Sequence, residues 1–422
     1  LNSLLCYTKG FLYILILINL NCLEKSFLEK HWKFPIEEQG ESPNGYSDVE
    51  VKLTPNDCGS CHPKQFDLWQ KSLHRKSISE GLLWQLHGLG EKKSEACFSC
   101  HSPLKESNTI LRIQEGWVKN YPKAWETYFP SDTKELGLSC ATCHVRNHIR
   151  YGPPPRDKIS QYSSNINTKK GLLLLPHNGA IFKKEFESSV FCKKCHESDD
   201  SVERINGKKM METFSEWQDS IYSKEGIECQ SCHMPNRNHI WAGISDAKMV
   251  RSGLKAELKV HNLEIGNSAN RKENMIEILA TLKSTYIGHK FPTYSVPKVY
   301  MNVYLVDKLL RKKRIGELTI GRFVDIHLTQ EFYDTRLMPG ETAKIALIIR
   351  KKELMLYDKI LFEVDVDPSE MYIRMFEHNI QDQKVLKHSN STIKKLEQSL
   401  NQKIKSKYNL YSKSLYLSES IF

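Results

Sequence analysis

The pattern Cys-x-x-Cys-His occurs five times between Cys58 and His233, and it constrains this chain more than any other feature. The copies are Cys58, Cys61 and His62; Cys97, Cys100 and His101; Cys140, Cys143 and His144; Cys192, Cys195 and His196; and Cys229, Cys232 and His233. Two thiols so closely spaced can form thioethers to the two vinyl groups of one porphyrin, while the adjacent imidazole reaches the iron from one face. Each copy therefore proposes one covalently bound haem c, with the motif histidine as its proximal ligand. Paired Cys-x-x-Cys units also build zinc ribbons, but a ribbon does not ask for histidine directly after the second cysteine of every pair.

The span from Cys58 to His233 is 176 residues, so five porphyrins would supply much of its apolar interior. Little room is left for an ordinary side-chain core. Short helices and irregular loops around stacked haems are expected, with 63–80 and 210–224 the best helix candidates. Pro153, Pro154, Pro155 and Gly171 mark exposed connections.

Besides the motif histidines, the same region holds His74, His87, His148, His177 and His239. Five irons and five further imidazoles suggest bis-histidine ligation, which suits electron transfer because no coordination position stays open. His148 follows His144 by four residues and His239 follows His233 by six, too near to pass around the porphyrin edge. Each should ligate a neighbouring haem. His74, twelve residues past His62, would lie about 18 Å further along a continuous helix and so also serve another iron. His87 is the weakest of the five, and His289 stands in reserve for an unfilled position.

The region repeats itself. Gly137 to Ile149 aligns with Gly226 to Ile240 after a two-residue insertion, and Phe66, Trp69, Ser72 and His74 are echoed by Phe214, Trp217, Ser220 and Tyr222. Both echoes keep their order, which argues for duplication of a two-haem unit with the Cys97 motif as an addition to the first. Tyr222 stands where the echo has His74, and reads as a packing residue.

Around these motifs the chain divides as follows. Residues 1–23 read as a signal peptide or N-terminal anchor, because the apolar run Phe11 to Leu20 is too short to span a bilayer alone. Cys6 and Cys22, the two cysteines outside the motifs, fall in or beside it. A polar linker covers 24–50, the pentahaem region 51–245, and a polar C-terminal tail 385–422, which reads as a helix or a mobile segment. Alternating stretches at 256–263, 275–282, 299–306, 343–349 and 359–366 read as strands of an antiparallel sandwich over 250–380. The class is α+β: a mainly helical and irregular multihaem domain followed by a β-sandwich-like domain. The formal charge of +11 is spread along the chain with no nucleic-acid motif, and fits a solvated surface that favours acidic redox partners.

Cys58 to Pro63 with Phe66, Trp69, Ser72 and His74 resembles the opening of the multihaem cytochrome c family that includes the cytochrome c-554 type and, more distantly, hydroxylamine oxidoreductase and the pentahaem nitrite reductases. Gly226 to Pro235 with His239, Trp241 and Gly243 is similar to a closing haem motif of such proteins. The resemblance implies stacked haem pairs, an extracytoplasmic redox role and His74 as a distal ligand. Pentahaem nitrite reductases bind their catalytic haem through Cys-x-x-Cys-Lys, whereas all five motifs here end in histidine. Segments 288–293 and 334–342 resemble the β domain that follows the haems in many bacterial multihaem cytochromes.

The sequence thus leads to an exported pentahaem cytochrome, periplasmic or otherwise extracytoplasmic, passing electrons between other redox proteins, either cytochromes or a quinol-linked donor, with membrane anchoring through its N-terminus or lipidation at Cys22 as options. The alternative is an oxidoreductase acting on a small nitrogen or sulfur species at one five-coordinate haem. No catalytic residue and no oligomeric state follow from the sequence.

Overall fold

A computed structural model describes residues 26–129, 137–156, 176–200, 202, 204–266, 272–386 and 388–417. The N-terminal apolar segment, Cys6, Cys22 and Gly171 lie outside the described residues, and of His87 only the backbone is described. Among the described residues no helix is long and apolar enough to cross a membrane.

The architecture is α+β. Each Cys-x-x-Cys-His motif ends a helix or forms one: Pro55–Cys61, Glu80–His101, Cys140–His144, Val190–His196 and Cys229–His233. A single helical turn places cysteines at i and i+3 on one side, and local caps fix where each turn begins. Pro55 follows Thr54, whose hydroxyl accepts from the Asp57 amide at 3.1 Å. The fourth and fifth motifs cap one another: Ser189 Oγ accepts from the Cys229 amide at 2.8 Å, and the Glu228 carboxylate accepts from the Ser189 amide at 2.6 Å. The longest helix bends at Gly90, where φ is 73°.

The helix expected over 63–80 stops at Lys71, because Ser72 Oγ turns back to the Trp69 carbonyl at 2.7 Å and the backbone leaves the helical region. The second candidate, 210–224, is split into Thr213–Gln218 and Ile221–Lys224 by Ser220, whose Oγ bonds the Trp217 carbonyl at 2.6 Å. The same turn therefore occurs in both copies. The indoles agree as well: Trp69 Nε1 donates to the Leu138 carbonyl at 2.8 Å and Trp217 Nε1 to the Ile227 carbonyl at 2.9 Å. Each acceptor lies two residues before the first cysteine of a motif.

Short strands β1 (Val145–Arg146), β2 (Ile149–Gly152) and β3 (Ile181–Phe182) follow the third motif. From Leu254 the chain builds two antiparallel sheets. One has the order β10 (Thr342–Arg350), β5 (Lys272–Ser284), β4 (Leu254–Gly266). The other has β12 (Tyr408–Tyr416), β11 (Lys359–Asp367), β6 (Lys298–Val306), β7 (Lys312–Ile320). A small pair, β8 (Arg322–Val324) with β9 (Glu331–Asp334), lies alongside. Alternate residues fill the space between the sheets: Ile276, Ile278, Ala280 and Leu282 from β5, Val299, Met301, Val303 and Leu305 from β6, and Ile360, Phe362, Val364 and Val366 from β11. Each large aliphatic side chain so buried is worth about 1.5–3 kcal/mol.

Residues beyond 385 are not a tail. Helix Asn390–Ile404 packs Ile393 and Leu396 against Phe376, and β12 completes the second sheet beside β11. A buried ionic chain ties the sandwich to the motif region. Arg336, with 1 % of its side chain exposed, bonds Glu216 at 2.8 Å, the Thr293 carbonyl at 2.7 Å and both Asp334 oxygens at 2.8 Å. Lys208 then bridges Asp334 to Glu331, which holds Arg322.

Candidate haem-binding site

The motifs meet in pairs. The thiol of Cys58 touches that of Cys140, Cys100 touches Cys195, and Cys192 touches Cys229. The first motif therefore adjoins the third, and the fourth adjoins both the second and the fifth. None of the ten motif cysteines is paired in a disulfide.

The histidines show a common arrangement. Nδ1 of His101, His144, His177, His233, His239 and His289 each meets a backbone carbonyl, those of Ser77, Tyr151, Gly179, Ala242, Arg237 and Lys290, at 2.7–2.8 Å. A ring held this way carries its proton on Nδ1 and leaves Nε2 as a free lone pair, the form a metal binds. Burial holds His74, His144, His196 and His289 down to about 4, so these imidazoles are neutral at ordinary pH.

Three motif imidazoles face a second imidazole across a gap. The ring centroids of His74 and His196 are 6.2 Å apart, those of His144 and His239 6.2 Å, and those of His233 and His289 6.3 Å. A metal–imidazole bond is about 2.0 Å and a ring nitrogen lies about 1.1 Å from its centroid, so two imidazoles on opposite sides of one iron have centroids about 6 Å apart. The residues present fit haem on this ground. Each partner belongs to a different segment from the motif it faces, and Trp241 packs edge-on against both His74 and His239, at 4.7 and 5.0 Å.

His289 comes from the loop between β5 and β6. Tyr222 positions that loop: its hydroxyl donates to the Thr285 carbonyl at 3.1 Å, and a Cβ at Gly288 would lie 3.4 Å from its ring. The side chain that replaces His74 in the echo thus supports the loop that carries His289.

His177 lies near the first motif, where His62 acts on it electrostatically. Its amide donates to the Glu50 carboxylate, and Tyr46 donates to its carbonyl at 3.0 Å. His148 is held differently from the other histidines. It is fully buried, its Nε2 meets the Gly40 carbonyl at 3.0 Å, and its ring lies edge-on to Tyr128 at 5.2 Å. Its Nε2 is engaged there while its buried Nδ1 meets no hydrogen-bond partner, and no motif imidazole faces it among the described residues. His101 likewise has no facing imidazole among the described side chains. The sequence signal that singled out His148, closeness to a motif, does not distinguish a ligand from a histidine that closes a buried turn.

The sequence model of the cytochrome c552 family matches residues 41–260. Among solved structures, the chain is similar to a penta-heme cytochrome c552 from Thermochromatium tepidum, with a TM-score of 0.56 and 16 % identity over 87 % of this chain and 100 % of that one. An X-ray structure titled Northeast Structural Genomics Consortium target SoR45 superposes with a TM-score of only 0.15 at 7 % identity, over 28 % of this chain and 74 % of that one. No curated protein matches the chain.

Proposed function

The chain belongs to the cytochrome c552 family and is an electron-transfer protein with covalently attached c-type haem; from that premise we propose an exported pentahaem carrier that passes electrons between extracytoplasmic redox proteins. Haem supplies reversible one-electron iron chemistry, and everything else falls to the chain's own residues. The ten motif cysteines fix five groups, in keeping with the penta-heme neighbour. His62, His101, His144, His196 and His233 take the proximal positions.

The observation that carries this reading is the set of facing imidazoles. On it we read His74 as the partner of His196, His239 of His144 and His289 of His233, with ring centroids 6.2–6.3 Å apart, and propose His177 for His62. Irons closed on both sides exchange electrons without binding substrate. The backbone carbonyls that hold Nδ1 of His144, His177, His233, His239 and His289 keep those rings in register.

A second reading is favoured by His101, which faces no described imidazole. An iron there would keep one position open for a small nitrogen or sulfur species, fed by the other four. Electron paramagnetic resonance of the oxidised protein, after a haem count of five, separates the two. Low-spin signals alone support the carrier. A high-spin signal of one haem equivalent that moves on adding nitrite, hydroxylamine or sulfite supports the oxidoreductase, and fewer than five haems overturns both.

A further inference from the structure

The end of the sandwich furthest from the motifs is unlike the rest of the surface. Strand β6 leaves the His289 loop at Lys298 and ends at Val306, so its far end lies about 27 Å away along the strand at about 3.3 Å per residue. Two loops share that end. The β6–β7 hairpin, 307–311, carries Leu309 and Leu310, which are 72 % and 73 % exposed. The connection into β11 carries Met355 and Leu356, 72 % and 79 % exposed. They are neighbours, because the Asp358 amide bonds the Val306 carbonyl at 2.8 Å. Of the five described large apolar side chains more than 70 % exposed, four are these.

The hairpin is also strained. Leu310 has φ of 62°, a left-handed conformation normally given to glycine or asparagine. Asp307 enforces the turn, its Oδ1 accepting from the Leu309 and Arg311 amides at 2.9 and 3.0 Å and its Oδ2 from Arg311 Nε at 2.7 Å. A bulky side chain is thus held in an unfavourable backbone region and then left in solvent. Folding alone does not call for this, and such outliers point to function. The second loop is equally fixed: Leu354 is fully buried beneath it and Tyr357 packs on the sandwich core.

The charge around these tips is net positive, even though Arg311, Lys312, Arg314 and Arg350 pair with Asp307, Glu363, Glu317 and Glu273. Residues 307–314 and 350–359 hold nine basic side chains, Lys or Arg, against Asp307, Glu353 and Asp358. We infer that this end of the sandwich docks on an anionic phospholipid bilayer, with Leu309, Leu310, Met355 and Leu356 entering the interface and the surrounding lysines and arginines meeting lipid phosphates. Protruding aliphatic tips ringed by lysine suit a lipid surface. A protein interface would favour aromatic residues and be poor in lysine. Docked so, the haem-binding residues face away from the bilayer, toward soluble partners.

The test uses the full haem-loaded chain with phosphatidylcholine vesicles, with and without phosphatidylglycerol. Hydrogen–deuterium exchange should show protection of 307–314 and 350–359 on phosphatidylglycerol vesicles only, a local readout independent of the N-terminal segment. L309S/L310S should lower partitioning about tenfold, and K308Q with K313Q about fivefold per charge at low salt, both with the haem spectrum unchanged. The inference is overturned if the loops gain no protection, if neutral vesicles protect them equally, or if L309S/L310S partitions like the wild type. It is also overturned if the wild type dimerises without lipid and L309S/L310S does not, since the occupant would then be a second copy.

Discussion

Replacing His289 with alanine isolates one proposed iron ligand. The imidazole stands 6.3 Å from that of His233, with 14° between the ring planes and both Nδ1 atoms held by carbonyls. Alanine leaves a methyl group in place of the imidazole. One of five haems should then become five-coordinate, so the high-spin ferric signal should rise by one haem equivalent, a fifth of the total. The reduced protein should bind one more equivalent of carbon monoxide than the wild type does. Because the wild type supplies the baseline, the increment does not depend on the state of the haem at His101. His148→Ala is the matched control: it should add no high-spin signal, yet cost about 1 kcal/mol in denaturant titration, because the bond from the buried imidazole to the Gly40 carbonyl is lost. An unchanged spin state in His289→Ala, or a gain of one equivalent in His148→Ala, would refute the rule that the occupied ring nitrogen reports ligation.

Four further outcomes are expected. Arg336→Ala should destabilise the protein by about 3–5 kcal/mol in chemical denaturation, because burial already pushes the Glu216 carboxyl above its usual range and the substitution removes its main cation. Burial opposes ionisation of Asp334, but Arg336 and Lys208 outweigh it and hold this carboxyl well below the usual range. Its contribution is therefore present above about pH 4 and lost as pH falls through its lower folded value, so the gap in Tm between wild type and Asp334→Asn should close toward about pH 2. Trp69→Phe and Trp217→Phe should each cost about 1 kcal/mol through loss of one hydrogen bond, and similar values would support duplication. Leu310→Gly should raise stability by up to about 1 kcal/mol in thermal unfolding by relieving the left-handed strain, while weakening vesicle binding.

The motifs and most strands were legible because their signals are local. A Cys-x-x-Cys-His turn needs nothing beyond its five residues, and the alternation in β4, β5, β6, β10 and β11 reflects one face turned inward. β7 was not seen, since it opens on Lys312, Lys313 and Arg314, which hide the alternation. β12 was read as a tail because it lies at a sheet edge and buries little beyond Leu410. Ligand pairing was only partly legible. His289 follows His233 by 56 residues, and no spacing rule links them. His148 is bound to a carbonyl 108 positions earlier, a partner no local pattern reveals.

The relation between Tyr222 and His289 bears on how such a chain could have arisen. In the first repeat His74 sits within the unit, whereas the second repeat carries Tyr222 there and draws its imidazole from the adjoining sandwich. Neither repeat holds a full set of imidazoles: His74 of the first lies opposite His196 of the second, and His239 of the second opposite His144 of the first. With His289 as the proposed ligand, the sandwich could not be discarded or swapped without leaving an iron bare, and an appended domain becomes an obligatory inheritance.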